Sequence, residues 1–301
     1  MNSSTKSGRM LVTGAGGMVG SYLEAALPGY DLVMTDTVAG FIPLDVRDPA
    51  AVMDAVATAK PDVVLHLAAA TDVDRCEREP DWAFHSNAIG TQNVALACQR
   101  HGATMVYVST GGVFWGDQLE PYTEFDTPRP ANVYGRAKLA GEHIVESLLQ
   151  QFYIVRAGWM IGGGPKDKKF VGKMVQLMRS GPGPLLAVSD KVGSPTYAKE
   201  LVVGIRDLLA TGYYGRYHLA NQGTCSRYDV ALEIRSILQL PHIQIEPVSS
   251  AHFPLPAPRG RSEALRNLKL DLLGINMMQP WQEALRDYVL NDLSPVVPQK
   301  P

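Results

Sequence analysis

The sequence predicts an α/β fold in which a doubly wound parallel sheet is joined to a smaller, mixed α/β C-terminal lobe. Three observations predict it. Apolar runs typical of buried strands alternate with segments of helical periodicity, a glycine cluster follows the first apolar run, and the alternation ends near residue 160. Buried strands separated by helices form a parallel sheet that is covered on both faces.

The first elements are a strand, a tight turn and a helix. RMLVT is the strand and GAGGMVG the turn, after which Val19, Leu23, Ala26 and Leu27 recur at helical spacing. The strand DLVMTD, the helix DPAAVMDAVATA, the apolar run DVVLHLAAA, the helix GTQNVALACQRH and the strand ATMVYVST then follow in order. Strand and helix therefore alternate as they do in successive βαβ units.

The later part of the chain departs from this alternation. The strand FYIVRAGWM is followed by GGGPKDKK, a helix around KFVGKMVQLMRS and mixed, proline-containing segments. The sequence thus predicts a first domain over 1–160, to which later segments return, a smaller lobe over 161–295, and a frayed tail over 296–301.

Composition excludes several classes of partner. The 301 residues are 46% hydrophobic and 19% charged, with a formal net charge of -2. Such a chain has no basic field to attract nucleic acid or an anionic membrane. It has no leader-type apolar segment, and its longest apolar run is far shorter than the ~20 residues of a membrane span. We therefore expect a cytoplasmic protein whose three cysteines are reduced.

The glycine turn predicts a dinucleotide site. Gly14, Gly17 and Gly20 are spaced G-x-x-G-x-x-G, with Met18 and Val19 between the last two. Glycines at the end of a first strand let the backbone approach a pyrophosphate at a helix N-terminus. Asp36 ends the second strand, where an acid accepts a hydrogen bond from a ribose hydroxyl. The cofactor is therefore NAD(H) or NADP(H), with NAD(H) slightly favoured unless an arginine lies nearby.

A second motif, VYGRAKLAGE, contains Tyr134 and Lys138 four residues apart. On a helix the two side chains share a face, and a cation beside a phenol is expected to lower the pKa of the phenol. A tyrosine tuned in this way can donate a proton near neutral pH. Thr110, at the end of the strand ATMVYVST, offers a second hydroxyl. Each of the three residues could instead be an ordinary surface or turn residue.

The chain resembles the extended short-chain dehydrogenases/reductases, and within them the dTDP-4-dehydrorhamnose reductases. The resemblance rests on LVTGAGGMVG, LDVRDP, VYVSTGGVF, VYGRAKLAGE and VRAGWMIGG, and more specifically on GSPTYA, YHLANQG and PWQEAL. It implies a Rossmann fold and the reduction of a nucleotide-sugar 4-ketone by a nicotinamide. It also implies that Thr110 is a catalytic hydroxyl, Tyr134 the proton donor, and Lys138 both catalytic and a ligand of the nicotinamide ribose.

The resemblance assigns further cofactor and substrate residues. Those expected to lie against the cofactor, or to support the backbone beside it, are Asp45, Val46, Ala68, Ala69, Ala70 and Asn87. Those expected near the substrate are Thr110, Gly111, Trp159, Lys169 and Arg259. Trp159 is expected to stack on a sugar face. Lys169, with Lys166 and Lys168, and Arg259, with Arg261, are rival candidates for a substrate diphosphate.

One departure from the family pattern leaves the sugar open. Gly111 and Gly112 stand where the family commonly has an Asp and a Tyr beside the sugar, so extra room is expected there. Where related dehydratases carry an Asp-Glu pair, the same glycines argue against water elimination.

The alternatives are a nucleotide-sugar epimerase or dehydratase of the same superfamily, and a non-catalytic, dinucleotide-binding regulatory subunit. The histidines His66, His85, His143 and His218 have no recognisable metal spacing, so no metal is predicted. A homodimer is left open.

Overall fold

A seven-stranded parallel sheet forms the centre of the computed structural model, which describes residues 8–181 and 183–293. The described strands are β1 Arg9–Thr13, β2 Asp31–Asp36, β3 Ile42–Pro43, β4 Val63–His66, β5 Thr104–Thr110, β6 Phe152–Ala157, β7 Trp159–Ile161, β8 Leu185–Val188, β9 Val192–Gly193, β10 Pro195–Tyr197, β11 Gly215–His218, β12 Cys225–Ser226, β13 Ile245–Val248 and β14 Ser262–Glu263. The tail predicted at 296–301 lies outside the described residues, as do positions 294–295 of the predicted lobe.

Helices connect these strands. The described α-helices are α1 Leu23–Ala26, α2 Pro49–Ala59, α3 Val73–Arg78, α4 Pro80–Phe84, α5 Gly90–His101, α6 Val133–Leu148, α7 Phe170–Ser180, α8 Ala198–Thr211, α9 Arg227–Ile237, α10 Leu268–Leu273 and α11 Trp281–Asp287. A 3₁₀ turn over Val19–Tyr22 precedes α1, and a π-helical turn over His85–Ile89 joins α4 to α5. No helix among the described residues combines the length and apolarity needed to cross a bilayer.

The strand order places a cleft at the carboxyl edge of the sheet. The order is β11-β6-β5-β4-β1-β2-β3, and every neighbouring pair is parallel. From β3 to β6 this is the order of dinucleotide-binding α/β folds, in which ligands bind where the winding reverses, between β1 and β4. The predicted fold class is confirmed.

Alternate residues of the strands pack against helices on opposite faces of the sheet. Met10 and Val12 of β1 join a buried cluster with residues of α1 and α8, whereas Leu11 joins one with residues of α2 and α5. This alternation follows from the two-residue period of a strand. Both faces are therefore apolar, which explains why the strand sequences are almost continuously hydrophobic.

A separate apolar core lies outside the large sheet. It is formed mainly by α7, α9 and α11, together with β8 and β13, and includes Met174, Ile234 and Leu285. The chain passes between the two cores more than once. Helix α8 packs in the core beside the large sheet and β11 joins that sheet, whereas α9 belongs to the separate core. The domain boundary at residue 160 stays a prediction.

Candidate active site

A cleft of about 1140 Å³ opens at the carboxyl edge of the sheet and faces the second core. Its volume is slightly above the roughly 300–1,000 Å³ typical of small-molecule sites. Nineteen of the residues singled out from the sequence lie in its lining: Gly14, Gly17, Met18, Val19, Asp36, Asp45, Val46, Ala68, Ala69, Ala70, Thr110, Gly112, Tyr134, Lys138, Trp159, Lys166, Lys168, Lys169 and Arg259.

Two of the predicted cofactor ligands, Gly20 and Asn87, lie behind the lining instead. A Cβ on Gly20 would be 1.8 Å from the carbonyl oxygen of Ala15, so this glycine allows the turn to pack closely on itself. Asn87 is fully buried; its Nδ2 donates to the carbonyl of Ala70 at 3.0 Å and its Oδ1 accepts from the amide of Ala70 at 2.8 Å. Both residues shape the backbone of the cleft without facing it.

Gly111 is likewise outside the lining, and its role as a substrate-binding residue stays a prediction. A Cβ on Gly111 would point at the side chain of Leu265, 3.3 Å away. Gly112, which does line the cleft, would direct a Cβ to within 3.4 Å of Thr110 Oγ1 and 3.7 Å of Tyr134 Cε1. The room expected from the two glycines is therefore created by Gly112 alone.

The glycine turn has the geometry that a dinucleotide phosphate requires. Gly14 has φ of +72°, and a Cβ there would be 2.6 Å from the amide nitrogen of Ala68. Only glycine permits both that backbone conformation and that close approach. The glycine turn leads into the 3₁₀ turn over Val19–Tyr22. The first backbone N–H groups of a helix have no partner within the helix and can donate to an anion. Gly14, Gly17 and their neighbours thus fit a dinucleotide.

Asp36 fixes the end of β2 against this turn. Its Oδ2 accepts from the amide of Gly16 at 2.8 Å, and its Oδ1 accepts from the amide of Thr37 at 2.6 Å. Asp45 lies farther along the same wall of the cleft and is paired with Arg47, which was not singled out from the sequence. An arginine that could alter the preference for NAD(H) is therefore present, and this preference stays a prediction.

Helix α6 presents Tyr134 and Lys138 on one face, as their spacing predicts. The side chain of Asn132 caps the helix by accepting from the amide of Gly135 at 2.9 Å. Thr110 ends β5 beside them, and its hydroxyl accepts from the amide of Gly112 at 3.0 Å. Two hydroxyls and one amine thereby meet in the same cleft as the glycine turn.

The pKa of Tyr134 is shifted in the direction opposite to the expectation. Desolvation raises the pKa of its phenol to about 12, while the hydrogen bond with Thr110 lowers it and the charge of Glu263 raises it further. The expected lowering of this pKa by Lys138 is wrong, because loss of hydration is the largest cause of the shift and Lys138 is not among the groups that produce it. The phenol therefore keeps its proton at neutral pH.

Lys138 is buried and turned toward the protein interior. Its Nζ donates to the carbonyl of Val108 at 2.9 Å and lies 4.1 Å from the ring centroid of Tyr107. Burial lowers the pKa of Lys138 to about 7, and the charge of Glu142 opposes that shift. The amine therefore changes protonation near neutral pH.

Trp159 is held by several neighbours around its ring. The guanidinium of Arg227 lies 3.9 Å from the ring centroid, and Gly193 packs so closely that a Cβ there would be 2.4 Å from Cε2. Nε1 donates to Oε2 of Glu263 at 2.6 Å. The stacking of this ring on a sugar stays a prediction.

The cationic side chains that could bind a diphosphate differ in how many of their hydrogen-bond donors already have partners in the protein. Arg259 is committed to Asp74 through a contact of 2.8 Å and to the carbonyl of Ala257. Lys169 lies at an exposed edge of the cleft, although desolvation lowers the pKa of its ammonium. Arg227, also in the lining, makes no hydrogen bond or ion pair within the described part of the chain, and burial lowers its pKa to about 10.

Sequence reasoning missed Arg227 and Glu263. Each stands at the start or end of a short element, Arg227 at the beginning of α9 and Glu263 at the end of β14. Glu263 belongs to no motif, and Arg227 stands inside the capping box of Ser226 and Asp229, which signals the start of a helix but not a ligand-binding residue. For metal ions, no group of three or more His, Cys, Asp or Glu that could hold one occurs among residues 8–181 and 183–293. The absence of a metal stays a prediction.

Comparisons with known proteins agree with this geometry. Residues 8–293 match the family described as RmlD substrate binding domain. A dTDP-4-dehydrorhamnose reductase of Mycobacterium tuberculosis is 38% identical over 288 residues, which are 93% of this chain and 92% of that protein. The spore coat polysaccharide biosynthesis protein SpsK of Bacillus subtilis is 34% identical, covering 93% of this chain and 96% of its own.

A solved structure is also similar. The dTDP-4-dehydrorhamnose reductase of Bacillus anthracis in complex with NADP has a TM-score of 0.88 at 37% identity, and the match covers 93% of this chain and 98% of that one.

Proposed function

Because the chain belongs to the RmlD substrate binding domain family, as its motifs predict, we propose that it is an NAD(P)H-dependent reductase. Its substrate is a dTDP-linked 4-keto-6-deoxyhexose, the class named by its relatives. The observation that carries the proposal is the joint presence of Thr110, Tyr134 and Lys138 in the lining of the cleft that contains the glycine turn.

Each catalytic residue has a separate role in protonating the carbonyl oxygen during reduction. The glycine turn and the alanine segment 68–70 would hold a nicotinamide cofactor, which would supply the hydride for the ketone carbon. Tyr134, protonated at neutral pH, donates its proton to the carbonyl oxygen as negative charge develops there. Thr110 donates a second hydrogen bond to the same oxygen. Lys138, at the base of the cleft, adds positive charge beside the phenolate that is left.

We propose that the substrate diphosphate binds near Arg227 and Lys169. Arg227 has its donors uncommitted among the described residues, and a planar guanidinium binds phosphate oxygens in pairs. Arg259, by contrast, is already paired with Asp74. A diphosphate near Arg227 would leave the sugar beside Trp159 and Tyr134, which line the same part of the cleft.

The other candidate functions are less well supported. A dehydratase needs an acid and a base beside the threonine, and the residues that follow Thr110 are glycines. A regulatory subunit would not require Thr110, Tyr134 and Lys138 together in one cleft, and fold alone does not separate it from an enzyme.

The decisive experiment is a turnover assay with dTDP-4-keto-6-deoxyhexoses. Reduced nicotinamide should be oxidised only when protein, cofactor and ketone are all present, and the product should carry a new hydroxyl at C4. UDP-linked ketones serve as controls for the nucleotide. NADH is expected to serve at least as well as NADPH, because Asp36 lies in the cofactor wall.

Two outcomes would contradict the proposal. Tight cofactor binding without oxidation of any dTDP-linked ketone would favour the regulatory subunit. Isomerisation of the sugar without net oxidation of the cofactor would favour an epimerase.

A further inference from the structure

Glu263 is a carboxylate in the cleft for which the proposed chemistry has no use. It is half-buried at the end of β14 and lies in the lining together with Trp159 and Arg227. Its Oε2 accepts from Trp159 Nε1 at 2.6 Å. No other side-chain donor reaches this carboxylate within residues 8–181 and 183–293, and it forms no ion pair there. Its Oε1 is thus available to a ligand.

The backbone holds Glu263 in a fixed position. In the three-stranded sheet, Glu263 of β14 pairs in parallel register with Gly193 of β9. Gly193 packs directly on the indole of Trp159, and the indole in turn holds the carboxylate. The side chain is therefore oriented from two directions, through its own strand and through the ring that Gly193 supports. Such preorganisation is what a recognition group requires.

The neighbours of Glu263 identify its place in the cleft. It lines the same cleft as Tyr134 and Arg227, and both Glu263 and Arg227 contact the indole of Trp159. A sugar that links a diphosphate bound at Arg227 to a carbonyl at Tyr134 would therefore pass close to Glu263. An ionised carboxylate only accepts hydrogen bonds, and hexose hydroxyls are the donors that such a sugar offers.

We infer that Glu263 is a specificity-determining residue that accepts a hydrogen bond from a ring hydroxyl of the hexose, and that Trp159 holds it in position for this contact. The inference rests on the proposed function in taking the ligand to be a dTDP-linked hexose. Arg227, beside the same indole, compensates the negative charge, so the site suits a neutral hydroxyl.

Binding measurements test this assignment without turnover. Calorimetry on the whole protein compares dTDP, dTDP-L-rhamnose and dTDP-linked 6-deoxyhexoses that lack one ring hydroxyl. Glu263→Ala should weaken binding of dTDP-L-rhamnose by about 10- to 100-fold, as expected for loss of a hydrogen bond to a charged group. Affinity for dTDP alone should change less than about twofold. One of the deoxy sugars should bind parent and variant equally.

Two further variants separate recognition from a structural role. Glu263→Gln can still accept from Trp159 Nε1 but has no charge, so it should lose about 3- to 10-fold for dTDP-L-rhamnose and nothing for dTDP. Glu246→Ala removes an exposed glutamate of β13 and should bind every probe as the parent does. Equal losses for dTDP and dTDP-L-rhamnose, or equal losses for every deoxy sugar, would overturn the inference, because they would show that Glu263 only supports the fold.

Failure of the inference and failure of the proposed function are distinguishable. If the parent binds dTDP-L-rhamnose with the predicted dependence on Glu263 but reduces no ketone, the reductase proposal fails and the inference stands. If the parent reduces a dTDP-linked ketone while Glu263→Ala binds dTDP-L-rhamnose with parental affinity, the inference is wrong.

Discussion

At the scale of single residues, burial decides the electrostatics of the site. Tyr134, Lys138 and His66 are all shifted toward their neutral forms, and in each case desolvation is the largest cause. For His66 the pKa falls to about 3, so its imidazole stays neutral between the hydroxyls of Thr13 and Thr91. Loss of hydration therefore controls the protonation of these three groups, and a charge that develops during reaction in this dehydrated cleft will interact strongly with its neighbours.

Tyr134→Phe tests the proton donor directly. The change removes one oxygen and leaves the ring in place on α6, so packing should be preserved. We expect kcat to fall by about 10²–10⁴-fold, the contribution of a positioned general acid, with cofactor affinity almost unchanged. Steady-state kinetics and cofactor calorimetry measure the two effects. Unaltered turnover of a ketone that the parent reduces would remove Tyr134 from the mechanism.

At the scale of elements, local patterns were readable from the sequence and contacts between distant segments were not. The strand-turn-helix around Gly14 and the shared face of Tyr134 and Lys138 depend on neighbours within a few residues, so periodicity and spacing predict them. The setting of Trp159 depends on Glu263, 104 residues further along the chain, and on Arg227. No pattern around Trp159 contains that information, and its expected stacking on a sugar stays a prediction.

The turn after β5 offers a test at this scale. Gly112→Ala would place a methyl group 3.4 Å from Thr110 Oγ1 and 3.7 Å from Tyr134 Cε1, at ordinary contact distance but inside the cleft. We expect unfolding to be little affected and kcat/KM for the preferred sugar to fall by about 10-fold or more, as for an added methylene in a filled pocket. Denaturant unfolding and kinetics are measured on the same samples.

Gly111→Ala is the matched control for this turn. Its methyl group would press on Leu265, at 3.3 Å, outside the cleft. Stability should therefore fall while the ranking of sugars stays that of the parent. The opposite result would be a changed ranking of sugars in Gly111→Ala and an unchanged ranking in Gly112→Ala. It would mean that Gly111, and not Gly112, borders the sugar.

At the scale of the whole molecule, a buried ionic network joins segments that are distant in the chain. Glu142 of α6 and Arg156 of β6 are fully buried and paired at 2.6 Å. Ser109 of β5 donates to Glu142 Oε1 at 2.5 Å. Arg216 of β11 pairs with Glu146 and approaches Glu142 to 3.9 Å. The network therefore ties the late strand β11 to the strand that ends in Thr110.

Breaking one side of this network should be costly. Arg156→Met would leave the carboxylate of Glu142 buried with Ser109 as its close partner, and removing one member of a buried pair costs about 3–5 kcal/mol of unfolding free energy. Replacing both members, as in Glu142→Leu with Arg156→Met, removes the unpaired charge and should recover much of that loss.

Arg9→Met provides the control, because its pair with Asp31 is largely exposed and should contribute no more than about 1 kcal/mol. Urea unfolding of the three variants and the parent, without nucleotides, gives the comparison. If Arg156→Met and Arg9→Met lower the free energy of unfolding equally, burial of the Glu142–Arg156 pair does not add to its contribution. The pair would then stabilise the protein no more than an exposed salt bridge does.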